Sequence, residues 1–147
     1  MKQIIKNKTI TVDIISGLFI LLFIYAASSK LLDYQKFVVE LGKSPLLSAF
    51  SQLVSWMIPM VEIGICILLL FKGIQLVALY ACFCLMVIFS GYIIAILNFS
   101  EYIPCSCGGI LENMSWTQHF WFNILFVVLG AWAVLLYPNK NKEVIAQ

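Results

Sequence analysis

The chain has 147 residues, of which 63% are hydrophobic and 11% are charged, and its mean hydropathy is +1.01. These values exclude an ordinary soluble domain and indicate an integral membrane protein. The formal net charge is only +2 and the sequence contains no arginine, so we expect no nucleic-acid partner.

Four apolar runs are long enough to cross a bilayer as helices, because roughly 20 apolar residues span ~30 Å of hydrocarbon. They cover about residues 10–29, 50–71, 74–97 and 119–137. The sequence therefore predicts an all-α membrane protein, surrounded by lipid, in which residues 1–147 form a single four-helix transmembrane bundle. Little chain remains for a separate soluble catalytic domain.

The first run has features of a secretory signal, because lysines precede it and the small residues 26–28 resemble a cleavage site. It is also long enough to span, and we expect it to remain as the first transmembrane helix. Residues 31–49 alternate apolar and charged positions, which is typical of a short helix lying in the membrane interface. Gly42 and the step from Ser44 to Pro45 are expected to end that helix.

Lysines in short loops favour the cytoplasmic side of a membrane. An even number of spans puts both termini on one side, and that side carries six of the nine lysines. We therefore expect a multi-pass protein with both termini in the cytoplasm. The loop between the third and fourth spans would then face the periplasm or the cell exterior, where thiols can be held oxidised.

Glu62 is unusual because it lies near the middle of the second span, where an ionised side chain costs at least ~2.5 to 3.5 kcal/mol. We expect it to be protonated or paired with Lys30, reaching inward from the end of the first span. It is either a proton-binding or quinone-binding group, or a buried polar fastener between helices. The intramembrane cysteines Cys66, Cys82 and Cys84 are interpreted as small hydrophobes, with a contact between Cys66 and Cys82 left open.

Cys105 and Cys107 form a Cys-x-Cys pair in the long polar break before the last span. Two thiols one residue apart can close a strained disulfide, which suits exchange with another protein better than structural cross-linking. Pro104 precedes the pair and Gly108 and Gly109 follow it. The alternatives are a site for a soft metal such as Cu(I) or zinc, for which further ligands are lacking, and two incidental cysteines. We place redox chemistry first and predict no metal site.

Ser115 and Gln118 predict a capping box that opens the last helix. On that helix Trp116, His119 and Asn123 share one face. His119 is the only histidine of the chain, and it could stabilise a thiolate of the cysteine pair or accept its proton. The alternative is an interfacial histidine beside an aromatic anchor.

Together these features resemble the MauE/DoxX-like family of small four-helix bacterial membrane proteins. The resemblance lies in residues 26–31, 58–62, 104–109 and 116–123, and the Cys-x-Cys-Gly loop is similar to the MauE branch in particular. It implies a redox-associated protein of the bacterial inner membrane that works with a thioredoxin-like partner. The family commonly carries a basic residue beside the asparagine that matches Asn123, whereas this chain has Phe122.

We therefore predict a membrane component of periplasmic thiol–disulfide exchange, a candidate thiol–disulfide oxidoreductase. The cysteine pair formed by Cys105 and Cys107 would exchange electrons with a periplasmic thioredoxin-like protein or an exported client. His119 would assist by stabilising a thiolate of the pair or accepting its proton. Glu62, Lys30 and Asn123 are candidates for holding a quinone, the one cofactor considered, or for a buried polar pair. The competing hypothesis is a non-catalytic membrane anchor or assembly subunit for a partner protein.

Overall fold

A computed structural model describes residues 2–44, 47–99 and 115–138 of the chain. The regular secondary structure of these residues is helical. No strand is present in these residues, which confirms the predicted all-α fold class. The elements are α1 (Lys2–Leu32), α2 (Tyr34–Lys43), a 3-10 turn (Ser48–Phe50), α3 (Ser51–Leu70), α4 (Gln75–Phe99) and α5 (Trp116–Leu136).

Four of the helices, α1, α3, α4 and α5, are long and apolar enough to cross a membrane. Each predicted span corresponds to one of these helices, although the helix ends differ from the predicted ones. Helix α1 begins at Lys2, well before the apolar run at residue 10, because lysine and other polar residues continue a helix without needing burial. Helix α5 begins at Trp116 because its cap lies at Ser115.

The start of α5 is fixed by the predicted capping box. The Ser115 hydroxyl accepts a hydrogen bond from the backbone N–H of Gln118 at 3.3 Å, and the Gln118 side-chain oxygen accepts one from the backbone N–H of Ser115 at 2.9 Å. Two backbone donors that a helix would leave open are thereby satisfied. The first turn of α5 is held in place independently of the segment before it.

Helix α2 continues almost directly from α1, with a bend at Asp33, where φ is −108° and ψ is 41°. Only Leu41 of α2 is fully buried, as expected of a helix with one apolar face. The Tyr34 hydroxyl lies 3.1 Å from the Ser55 hydroxyl, and the Tyr34 ring contacts Trp56 with centroids 5.7 Å apart. These contacts hold the start of α2 against α3.

We distinguish two ends of the bundle, which we call the loop end and the terminal end. The loop end consists of the last turns of α1 and α4, helix α2, and the first turns of α3 and α5; the terminal end is the opposite one. At the terminal end, Lys72 pairs with Asp13, and the Gln75 side-chain amide donates to Asp13 at 3.2 Å and to Ser16 at 3.1 Å. The Tyr137 hydroxyl donates to the Lys72 carbonyl at 3.2 Å. This network ties α1 to the turn between α3 and α4 and to the end of α5.

Phe19 lies at the centre of the apolar core and is fully buried. Its ring centroid is 5.7 Å from that of Phe23 and 5.4 Å from that of Phe126. Gly130 lets α5 approach closely, because a Cβ atom built there would lie 3.3 Å from Phe19 Cζ and 3.5 Å from the Phe83 Cα atom. Small residues commonly allow such close helix packing in membranes.

Gly130→Val is expected to lower the midpoint of thermal unfolding in detergent, because two further methyl groups meet Phe19 and the α4 backbone. Overpacking of this kind costs about 1–3 kcal/mol. Gly64→Val is the matched control, since a Cβ at Gly64 meets no atom within 4 Å and the change in helix propensity is the same. Equal shifts in the two variants would show that the close approach at Gly130 does not limit stability.

Candidate functional site

A cavity of about 330 Å³ lies between the helices at the loop end. All five helices line it, and most of the lining side chains are aliphatic or aromatic. A few polar side chains join them: Lys30, Glu40, Glu62, Tyr92, His119 and Asn123. An apolar cavity with a small number of polar groups is the usual form of a ligand site.

Glu62 and Lys30 form a buried ion pair in the wall of this cavity. Lys30 Nζ lies 2.7 Å from Glu62 Oε1, and the exposed fractions of the two side chains are 10% and 0%. Lys30 Nζ also donates to the carbonyl of Ala26 at 3.4 Å. The predicted pairing is therefore confirmed, and it joins the end of α1 to the middle of α3. A single buried charge at this position would destabilise the fold, so the charge of each side chain is compensated by that of the other.

Helix α5 contributes the face that was predicted to carry Trp116, His119 and Asn123, and all three residues line the cavity. The rings of Trp116 and His119 are 6.2 Å apart, and Asn123 is 4% exposed. Phe122, which stands where the family resemblance predicts a basic residue, also lines the cavity. The structure thus brings four of the predicted site residues together: Lys30, Glu62, His119 and Asn123.

Two further polar residues of the cavity were not predicted as site residues. Glu40 Oε1 accepts a hydrogen bond from Lys43 Nζ at 2.9 Å, whereas Glu40 Oε2 is buried without a hydrogen bond to any described residue. The Tyr92 hydroxyl donates to Ser44 at 3.1 Å. The available signal was that Glu40 follows Phe37 by three positions and so lies on the apolar face of α2.

The intramembrane cysteines are arranged as the sequence indicates. Cys66 and Cys82 are buried and Cys84 is exposed, so the two cysteines of α4 lie on different sides of that helix. The Cys66 thiol approaches the carbonyl of Ile20 at 3.8 Å. All three of these thiols are free.

Cys105 and Cys107 lie outside the described residues, and their predicted roles stay predictions. The helices on either side of them are described: Phe99 ends α4 and Trp116 begins α5. Of these two residues, Trp116 lines the cavity. Within residues 2–44, 47–99 and 115–138, no group of three or more histidine, cysteine, aspartate or glutamate side chains could hold a metal ion.

Comparison with known proteins identifies the family of the chain. No curated protein and no solved structure matches the chain. A family model described as "Methylamine utilisation protein MauE" matches residues 8–136. This region holds the last three candidate spans, all but the first two residues of the first span, and every residue of the cavity described above. This agrees with the MauE branch of the resemblance seen in the sequence, whereas the likeness to DoxX proteins stays a prediction. The match covers most of the chain, which therefore belongs to the MauE family.

Proposed function

We propose that this MauE family protein is the membrane component of a thiol–disulfide exchange system. Cys105 and Cys107 pass electrons between the protein and a thioredoxin-like or exported client protein. The observation that supports this most strongly is the convergence of Lys30, Glu62, His119 and Asn123 on one cavity at the loop end. The segment with the cysteine pair joins the two helices that end and begin there.

The chemistry of the exchange follows from the spacing of the two thiols. In the oxidising direction, a client thiolate attacks one sulfur of a Cys105–Cys107 disulfide, and a mixed disulfide forms as the S–S bond breaks. A second client thiolate then attacks the client sulfur of the mixed disulfide. A disulfide forms in the client, and Cys105 and Cys107 are released as a dithiol. The client loses two electrons, and the loop pair gains them. A basic group at the start of α5, where His119 stands, suits the proton transfers of these steps.

The proposed orientation places the loop end in the periplasm and both termini in the cytoplasm. The distribution of lysines supports it, with six on the terminal side of the four spans and three on the other. The inner membrane of a bacterium provides that geometry, together with an oxidising outer compartment. The family description is consistent with a membrane component of a redox or methylamine utilisation system.

Thiol trapping in intact cells tests the proposal. Acid quenching followed by alkylation with a maleimide that adds mass is expected to show Cys105 and Cys107 partly oxidised, and Cys105→Ser or Cys107→Ser is expected to abolish oxidation of the client. Cys84→Ser is the matched control, because Cys84 is exposed on α4 and lies outside the cavity.

Two results would contradict the proposal. One is a loop pair that stays fully reduced in growing cells while client oxidation is unchanged in the serine variants. The other is loss of the partner from the membrane fraction without any change in its thiol state. The second result would favour the anchor or assembly subunit, since such a subunit acts through binding and not through its thiols.

A further inference from the structure

The loop-end cavity contains buried polar atoms whose hydrogen-bonding capacity is unused within the described part of the chain. Glu62 Oε2 is buried and has no hydrogen-bond partner there, although Oε1 of the same carboxylate accepts from Lys30. Glu40 Oε2 is likewise buried without a partner among the described residues, and Asn123, a residue that is 4% exposed, lines the same cavity. Buried groups of this kind are costly to leave unpaired, so they indicate a ligand that would pair with them.

The unused groups define what that ligand must offer. Glu62 Oε2 needs a hydrogen-bond donor, whereas the Asn123 amide and the third N–H of the Lys30 ammonium can both donate to an acceptor. Lys30 and Glu62 cancel each other's charge, so the wall favours a neutral ligand over an ion. A hydroxyl meets both requirements because it donates and accepts, whereas a carbonyl meets only the second. A group that alternates between the two at one position can therefore be held in both of its states.

The remaining lining favours a flat, apolar ligand. Phe89, Trp116 and Phe122 bring aromatic rings to the cavity, and its volume of about 330 Å³ lies at the lower end of the ~300–1,000 Å³ usual for small-molecule sites. Ile88 lines the cavity and is 64% exposed on the lipid-facing surface of α4. The cavity therefore reaches the bilayer beside Ile88, where an apolar tail can extend into lipid.

We infer that the cavity binds the ring of a membrane-soluble quinone and that this quinone accepts the electrons of the Cys105–Cys107 dithiol. The second half of this inference rests on the proposed function; the binding site does not. Two S–H bonds break and one S–S bond forms, and the two electrons and two protons convert the two carbonyls of the quinone to hydroxyls. Asn123 and Lys30 donate to a carbonyl of the quinone, and Glu62 accepts from a hydroxyl of the quinol.

The binding site is tested with full-length protein in lipid nanodiscs titrated with decylubiquinone. Substituting phenylalanine for the three exposed tryptophans, Trp56, Trp121 and Trp132, leaves Trp116 in the cavity wall as the reporter of quenching. We expect saturable quenching, and Asn123→Leu is expected to weaken binding by about tenfold through loss of a buried hydrogen bond. Asn98→Leu is the matched control, since Asn98 is exposed on α4 and does not line the cavity.

A second variant covers the case in which Asn123→Leu fails to fold. Ala26→Leu adds side-chain volume to the cavity wall and is also expected to weaken binding, without removing a polar group. Quenching that rises linearly with quinone, or that changes equally in the Asn98 and Asn123 variants, reflects partition into lipid and overturns the inference. Decylbenzene, which lacks the oxygens, is expected not to compete.

Electron transfer is tested separately by mixing the prereduced protein with decylubiquinone without oxygen. One disulfide is expected for each quinol formed, and the Cys105→Ser/Cys107→Ser variant is expected to bind the quinone without reducing it. If the wild type binds decylubiquinone without reducing it, the electron-transfer step is overturned, whereas the proposed binding site is retained. Client oxidation that proceeds in cells although the purified protein binds no quinone overturns the whole inference and leaves the proposed function standing.

Discussion

Phe19→Ala is expected to lower the free energy of unfolding by about 3 kcal/mol, at the low end of the cost of truncating a buried phenylalanine. Phe19 is fully buried, its ring contacts Phe23 and Phe126, and its outer edge lies against Gly130. In a bilayer the loss comes mainly from packing, because lipid tails are as apolar as the core. The two neighbouring rings are held on α1 and α5 and cannot readily close the space.

The measurement is reversible unfolding in mixed micelles, with Leu21→Ala as the control. Leu21 is on the same helix and 69% exposed, so its truncation removes few protein contacts and is expected to change stability by less than ~0.5 kcal/mol. If both variants lose a similar free energy of unfolding, protein packing around Phe19 stabilises the fold no more than contact with lipid or detergent does.

The number and type of the helices could be predicted because each signal is local. The length of an apolar run determines whether a helix can span, and the Ser115 to Gln118 spacing alone specifies the capping box that is observed. The pairing of Lys30 with Glu62 could also be predicted. A carboxylate in mid-span requires compensation, and Lys30 is the cation placed at the end of the adjoining span.

The cavity could not be predicted, because it depends on how five helices pack and not on any one segment. Glu40 shows the difficulty: in sequence it belongs to the alternating charges of α2, whereas in the structure one of its oxygens is buried in the cavity wall. Gln75 and Asp13 were missed for the same reason, since their contacts join α4 to the start of α1. The contact between Gln75 and Asp13 joins residues 62 positions apart in the chain.

The cysteine pair is the reverse case. Its candidate role comes from the residues themselves, and the described structure contributes only its surroundings: the cap at Ser115, the end of α4 and the cavity between them. The sequence predicts Glu62, Lys30 and Asn123 as candidates either for holding a quinone or for a buried polar pair, and all three line the cavity. Their shared position in one wall makes a joint role in ligand binding the simplest interpretation.

Lys30→Met is expected to have the largest effect on stability, about 3–5 kcal/mol, because it leaves Glu62 as an uncompensated buried charge. Glu62 has no exposed surface and its Oε2 has no partner among the described residues. Lys72→Met is the matched control. It breaks the pair with Asp13 at the terminal end, where both side chains are substantially exposed, and pairs of that kind contribute only about 0–1 kcal/mol.

The double variant Lys30→Met/Glu62→Leu separates stability from function. Replacing both charges with apolar side chains removes the desolvation cost together with the attraction, so we expect it to regain most of the stability lost in Lys30→Met. It is also expected to lose saturable binding of decylubiquinone, since two of the three proposed polar contacts are gone. If the loss of stability in the double variant equals the sum of the losses in Lys30→Met and Glu62→Leu, the pair mainly stabilises the bundle. Recovery of stability with loss of binding would show that the pair is needed for the ligand and not for the fold.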